Sequence, residues 1–319
     1  MAMAQPQRPQ TGPAANVAPL YWYDGAIVEQ DAIEIHPFTH ALHYGSGVFE
    51  GIRAYRTERG LAIFRLKDHM ERFLRSAATY RLDVPYGVDA LCEAVAETVR
   101  RNPIGECYIR PLAWFGAGGM SLAPHTSCPT HTMIAVRPLG GYFSGGDERP
   151  TVRVTVSGWQ KSSSKALPST VKCSGHYANS VLAMSDAVSK GFDEALMLND
   201  RGRLAEGSGE NIFFVKNGAI HTNDVGEDIL PGITRATVLA MARRLGIPAH
   251  VGTIALDDLL SADEVFMTGT AAEVTGIREI DGTALPHGGD APVTARLQEA
   301  YDQAVRAKSP EAAEWCTPV

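Results

Sequence analysis

The sequence predicts a two-domain α+β protein, a smaller N-terminal α/β domain followed by a larger, antiparallel-rich C-terminal domain. Three observations carry that expectation. Helical and strand periodicities alternate along most of the 319 residues. A segment with four glycines, an Asp-Glu-Arg cluster and a terminal proline interrupts them at residues 139–150. Beyond it, short strands separated by tight turns crowd together, as antiparallel sheet requires. The expected organisation is a flexible extension over 1–19, a small domain over 20–140, a linker over 141–150 and a large domain over 151–319.

Each element has its own signal. Leu20-Tyr21-Trp22-Tyr23 and Ala26-Ile27-Val28 flank Asp24-Gly25, a two-residue hairpin signature. Ile33 to Ile35 read as strand-like. Met70, Phe73, Leu74 and Ala77 keep helical spacing, as do Val88, Leu91, Cys92, Val95 and Val99. Strand-like runs follow at Tyr108 to Phe115 and Met133 to Val136. In the second half, Val152, Val154 and Val156 alternate, and Tyr177, Val181, Met184 and Val188 mark a helix stopped by Gly191. Further strands are expected at Ala195 to Leu198, Asn211 to Lys216 and Ala219 to Thr222. Helices are expected from Thr234 to Leu245, before Gly246, and from Val293 to about Lys308.

Composition removes several classes of function. With 45% hydrophobic and 20% charged residues, the chain can bury a large core. The 29 basic residues against 36 acidic ones give a net charge of -7, and basic runs never exceed a pair. A nucleic-acid footprint is therefore not expected. Apolar runs are short pieces such as Ile212 to Val215, too short to span a bilayer. Residues 1–19 lack the apolar core of a signal peptide, so a cytoplasmic address is expected. The five cysteines are an odd count without a C-x-x-C pair and read as reduced thiols. His36, His40 and His43 could face one side of a helix, but no carboxylate follows at metalloprotease spacing. Structural histidines are the favoured reading there, and no metal is expected.

Three features point to chemistry. Lys172, within Ser169-Thr-Val-Lys-Cys-Ser-Gly-His-Tyr177, sits among small and β-branched residues at the start of a helix. Burial would push such an amine toward its neutral, nucleophilic form. Leu230-Pro-Gly-Ile-Thr-Arg235 runs from a Pro-Gly turn into a helix, where free backbone N–H groups suit a phosphate, although capping by Thr234 is the plainer alternative. Glu206-Gly-Ser-Gly-Glu-Asn211 sets a carboxylate in a Gly-rich turn that a flat ring can approach closely. A second small-residue loop, Thr268-Gly-Thr-Ala-Ala272, follows a strand. Lysine, anion cradle and carboxylate are the parts that a pyridoxal phosphate enzyme must supply.

In this order the motifs resemble the fold-type IV pyridoxal phosphate enzymes, in particular the branched-chain amino-acid aminotransferases. The upstream run from His40-Ala-Leu-His43-Tyr44 through Gly47-Val-Phe49-Glu50-Gly51-Ile-Arg53 is similar to the same family, as are His69-Met-Glu-Arg72 and Tyr108-Ile-Arg110-Pro111. The likeness runs from about residue 20 to the C-terminus. It implies that Lys172 forms an aldimine with pyridoxal 5'-phosphate and shuttles the proton. Glu206 would hold the ring nitrogen and Tyr177 the 3'-oxygen, while Arg72, Ile233, Thr234 and Thr270 would hold the phosphate. Tyr108 and the Thr270-Ala271 turn would take the substrate α-carboxylate. Phe49, Tyr142, Met120, Leu122 and Tyr44 would wall the side-chain pocket, and Arg110 would serve the glutamate carboxylate.

Met120, Leu122 and Tyr44 fall near a subunit interface in the family, so a homodimer is implied at the minimum, with a hexamer as the alternative. The implied reaction is ping-pong transamination between leucine, isoleucine or valine and 2-oxoglutarate. D-Amino-acid aminotransferase, (R)-amine aminotransferase and aminodeoxychorismate lyase are alternatives with the same cofactor. A histidine-based metal hydrolase and a non-enzymatic binding protein are the alternatives from other classes. The sequence departs from the family pattern at His176 and Cys173.

Overall fold

The computed structural model describes residues 18–139, 151–286 and 291–319. Tyr142 and the expected linker over 141–150 lie outside the described residues. The chain opens with the hairpin β1 (Leu20–Tyr23) and β2 (Ala26–Glu29). Asp24 (φ 46°) and Gly25 (φ 99°) are both left-handed, which is what a tight two-residue turn between twisted strands demands. A short helix α1 (His40–Tyr44) leads to β3 (Gly47–Phe49), β4 (Ile52–Thr57) and β5 (Gly60–Phe64). Helices α2 (Leu66–Thr79) and α3 (Val88–Arg101) precede the long strands β6 (Cys107–Phe115) and β7 (Thr130–Pro138). The periodic residues Met70, Phe73, Leu91, Val95 and Val99 are buried against Ile52, Ile63, Ile109 and Ile134 of the sheet.

The second half comprises β8 (Thr151–Val156), α4 (Tyr177–Ser189), β9 (Glu194–Leu198), β10 (Leu204–Gly207), β11 (Asn211–Lys216) and β12 (Ala219–Asn223). It continues through α5 (Ile233–Arg244), β13 (Ala249–Gly252), α6 (Leu256–Leu260), β14 (Glu264–Gly269), β15 (Glu273–Ile280) and β16 (Thr283–Ala284). The chain ends with α7 (Pro292–Val305), α8 (Ala312–Trp315) and β17 (Cys316–Pro318). Its sheet runs β10-β9-β8-β15-β14-β11-β12-β13, with β16 beside β15. Antiparallel pairings predominate, and β8–β9, β8–β15 and β12–β13 are parallel. The first sheet runs β17-β5-β4-β6-β7-β1-β2, with β3 beside β6, and all its pairings are antiparallel.

Three details differ from expectation. Ile33 to Ile35 form no strand; β2 is an edge strand, and Pro37 has no N–H to extend a ladder there. Helix α4 lies where expected, but Val181 (62% exposed) and Val188 (59%) face outward. Its buried face is Ser180, Ala183 and Ala187, small residues that let the helix lie close on Ala195 and Met197 of β9. Finally, residues 151–319 do not all belong to the second sheet. Cys316, Thr317 and Pro318 pair with Phe64, Ile63 and Ala62 of β5, and Trp315 packs edge-on against Phe64. The chain's end thus joins both halves over one apolar cluster of Tyr55, Phe64, Phe213, Phe266 and Tyr301.

The halves also meet at the lysine. Val48 of β3 bridges to Cys173, and the Phe49 N–H donates to the Lys172 carbonyl at 3.1 Å. The Lys172 N–H donates to Ser76 Oγ of α2 at 3.2 Å. The segment after β8 is thereby fastened to the N-terminal half at the residue of greatest chemical interest.

Candidate active site

Lys172 lies between buried Val171 and Cys173 and enters α4 through a single turn, Ser174–His176. Tyr177, the first residue of α4, therefore folds back onto it. The Lys172 Nζ to Tyr177 Oη distance is 2.6 Å. Burial, helped by the nearby Arg72 cation, pulls the Lys172 ammonium down from the usual lysine range to about 8. Burial and the charge of Glu206 push the Tyr177 phenol upward, so it stays a neutral hydroxyl. The Phe49 ring centroid lies 5.1 Å from Lys172 Nζ and 4.8 Å from the Tyr177 ring.

Glu206 is the penultimate residue of β10 and is 4% exposed. Its Oε2 accepts from Asn211 Nδ2 at 3.0 Å and from the Leu230 N–H at 3.1 Å. Asn211 also donates to the Leu230 carbonyl at 2.9 Å, so the Gly-rich turn and the Leu230–Arg235 segment are stitched into one wall. A Cβ on Gly232 would overlap Asn211 Oδ1, which is why only glycine fits this crossing. The Glu206 Oε1 atom faces Lys161 Nζ at 2.7 Å. Lys161, Lys172, Tyr177, Glu206 and Leu230 line one cavity.

Helix α5 begins at Ile233 from Gly232, and no side chain caps it. Thr234 is inside the first turn and does not serve as the cap. The first-turn N–H groups thus point outward as an anion cradle. Arg72 reaches the same place from α2: its Nη1 donates to the Pro231 carbonyl at 3.1 Å. Its Nε and Nη2 grip Glu50 at 2.6 and 2.8 Å. Burial alone would raise the Glu50 carboxyl, but Arg72 and His69 together hold it well below the usual range. The Thr268–Ala272 loop lies alongside, since Thr268 pairs with Asn211 in the sheet. Glu273 closes that loop in the left-handed region (φ 55°) and is held by Arg53 Nη1 at 3.0 Å and Tyr55 Oη at 2.8 Å. Thr268 Oγ1 is buried without a partner among the described residues.

On the first sheet, Arg110 Nη2 donates to Tyr108 Oη at 2.9 Å, and its guanidinium lies 4.6 Å from the Phe49 centroid. The Tyr108 hydroxyl occupies the space that a side chain on Gly51 would need. Arg110 Nε is buried and lacks a partner among the described residues. These contacts bring Phe49, Tyr108, Arg110, Lys172 and Tyr177 together, with Arg72, Glu206 and the start of α5 joined through the contacts above.

Tyr44 (45% exposed), Met120 (44%) and Leu122 (82%) are not folded into this cavity; they lie on the surface. Each of the three histidines has its own partner: His40 contacts Ser46 Oγ and the Ser121 carbonyl, His43 the Pro37 carbonyl, and His36 the Phe38 N–H. Sequence reasoning missed Lys161 and Glu50 as site residues. Glu50 sits inside a quoted motif and could have been paired with Arg72; Lys161 carries no local signal.

The Lys172–Tyr177 pair, the buried Glu206 carboxylate and the uncapped start of α5 beside Arg72 are the chemical features of this site, and together with the fold they define a class of protein. The chain belongs to the amino-transferase class IV family, whose model matches residues 47–280. The "Branched-chain-amino-acid aminotransferase" of Pseudomonas aeruginosa is 43% identical over 298 residues, covering 93% of this chain and 96% of that protein. The solved T.th. branched-chain amino acid aminotransferase complexed with N-(5'-phosphopyridoxyl)-L-glutamate is 44% identical, with a TM-score of 0.88, and covers 94% of this chain and 98% of its own. The same protein complexed with 4-methylvaleric acid matches with the same TM-score, 0.88, identity, 44%, and coverage.

Proposed function

We propose that this protein transfers the amino group between branched-chain L-amino acids and 2-oxoglutarate, with pyridoxal 5'-phosphate as cofactor. The observation that carries the reading is the half-buried Lys172 amine, 2.6 Å from Tyr177 Oη, in the cavity that Glu206 also lines. The residues fit the group: Lys172 would take its carbonyl carbon, Tyr177 would donate to its 3'-oxygen and Glu206 would pair with its ring nitrogen. Arg72, Ile233, Thr234 and Thr270 hold its phosphate, the uncapped start of α5 supplying N–H donors. When bound, the cofactor supplies an electron sink for the bond broken at the substrate Cα.

The chain's own groups do the rest. Lys172, as a free amine, would take the proton from the substrate Cα and deliver it to the cofactor's C4', on the far side of the intervening nitrogen, a role for which a value near 8 is suited. Tyr108 and the Thr270-Ala271 turn bind the α-carboxylate. Phe49 offers an aliphatic side chain an apolar wall, while Arg110, half-buried and with an unused Nε, gives the glutamate γ-carboxylate a cation. One pocket thereby serves both half-reactions. That the T.th. relative was solved with both a glutamate adduct and 4-methylvaleric acid supports this duality.

The surface positions of Tyr44, Met120 and Leu122 support a homodimer in which they complete the neighbouring subunit's side-chain pocket; assembly to a hexamer is compatible with it. No helix among the described residues is long and apolar enough to cross a membrane, and we place the enzyme in the cytoplasm. The test is donor preference: with 2-oxoglutarate as acceptor, L-leucine should be consumed and D-alanine should not. Preference for D-alanine would move the protein to the D-amino-acid branch of the family.

A further inference from the structure

Lys161 has no part in the reaction just described, yet it occupies one face of the carboxylate on which the cofactor's ring nitrogen depends. Its Nζ is 2.7 Å from Glu206 Oε1, with side-chain exposures of 14% and 6% for the two partners. The position is built from several sides. The Lys161 N–H donates to the Leu198 carbonyl at 2.8 Å. Asn179 of α4 clamps both neighbours, donating from Nδ2 to the Gln160 carbonyl at 3.0 Å and accepting the Ser162 N–H on Oδ1 at 3.3 Å. The main chain on both sides of the lysine is therefore anchored to the helix that carries Tyr177.

The other Glu206 oxygen is aimed by Asn211 and the Leu230 N–H, so both lone-pair faces are tied to the protein. A buried carboxylate with neutral donors alone carries a large desolvation cost, and a cation at hydrogen-bond distance offsets it. The phosphate end repeats the device with opposite sign: Arg72 is paired to Glu50 inside the protein. Burial alone would weaken the Lys161 ammonium, but Glu206 more than offsets it, with Tyr177 and Asp228 adding to the effect; His176, also near, is disfavoured in its charged form by burial and by Lys161.

We propose that Lys161 is the resident counterion of Glu206, a positioning residue that neutralises and aims the carboxylate and then shares it with the cofactor's ring cation. The proposal rests on the cofactor assignment above. Its consequence is a specific coupling: once the ring cation sits on Glu206, the loss of Lys161 should matter less. A lysine that merely packs would show no such dependence.

Calorimetry on the enzyme stripped of cofactor and reloaded with pyridoxal 5'-phosphate tests this. Lys161→Met should lower the Tm of the stripped protein by roughly 5 °C, and the Tm rise on reloading should be larger than in the wild type. Lys161→Arg should behave like the wild type. In the stripped protein, Lys161→Met combined with Glu206→Gln should melt above either single variant, because neither charge is then left alone. Equal losses in both forms, or a double variant that melts below both singles, would overturn the proposal. Should Lys161→Met fail to fold, recovery of a folded double variant supports it, and failure of the double as well overturns it. If no variant, nor the wild type, gains Tm with the cofactor, the cofactor assignment falls, and the double-variant comparison still decides the role of Lys161.

Discussion

Arg72 grips Glu50 through two hydrogen bonds of 2.6 and 2.8 Å, with both side chains withdrawn from water. The guanidinium is thus fixed in orientation by a carboxylate from the loop between β3 and β4, and His69 buttresses the same carboxylate at 2.8 Å. On the proposed cofactor site, phosphate binding would then depend on a residue that does not itself touch the phosphate.

Glu50→Gln should weaken pyridoxal phosphate binding by about 10- to 100-fold, since the buried cation loses its charged, bidentate partner. Titration of the stripped enzyme with cofactor checks it. Unchanged affinity would show that Arg72 is held without Glu50.

The Lys172 amine must be neutral to attack the cofactor's carbonyl. Its folded value of about 8 lies below the usual lysine value of 10.5, so the rate of cofactor attachment to stripped protein should rise with pH and level off above about 8. Stopped-flow absorbance across a pH range that brackets this value measures it. A rate still climbing tenfold per unit at the top of that range would place the amine at its ordinary value.

The same depression has a cost for stability. Lys172 is charged near neutral pH in surroundings that disfavour the charge, and a lowered folded value means that its penalty is full below about 8 and fades toward 10.5 as the unfolded chain also loses the proton. Lys172→Met should therefore stabilise the stripped protein at pH 7 by about 1–3 kcal/mol while abolishing transamination. Thermal melts at two pH values read the sign.

Arg110 is asked to serve one half-reaction more than the other. Arg110→Met should raise KM for 2-oxoglutarate by about 30- to 100-fold, from the loss of a charge-assisted pair, and leave KM for L-leucine within about tenfold by keeping the pocket apolar. Steady-state kinetics with each substrate varied separately gives both numbers. Equal losses would mean that Arg110 supports the pocket in general.

Leu122 is 82% exposed and belongs, on the dimer proposal, under a second subunit. Leu122→Asp should shift the protein toward monomer in sedimentation and reduce leucine turnover in the same concentration range, because a buried unpaired charge opposes association. A fully active monomer would remove these residues from the pocket.

Much of this architecture was legible because local and global signals agree. The Asp24-Gly25 hairpin, the α2 and α3 stripes and the glycine stops at Gly191 and Gly246 are encoded within a few residues of where they act, and the ordered motifs around Lys172, Glu206 and Thr234 point to the candidate site. What escaped is long-range. Nothing near Cys316 shows that it will pair with Phe64, and nothing near Lys161 shows that it will meet Glu206. The outward face of α4 misleads for a related reason: periodicity finds the apolar stripe, but the sheet selects Ala183 and Ala187 for close approach.

The central claim is that Lys172 carries a cofactor that accepts an amino group. It is tested most directly by the absorption spectrum of purified, cofactor-loaded protein before and after one equivalent of L-leucine without acceptor. The account predicts a visible band that is lost in a single turnover as 4-methyl-2-oxopentanoate appears, and no such turnover in Lys172→Ala. A loaded wild-type protein whose spectrum ignores L-leucine, or a Lys172→Ala variant that turns it over at the wild-type rate, would contradict it.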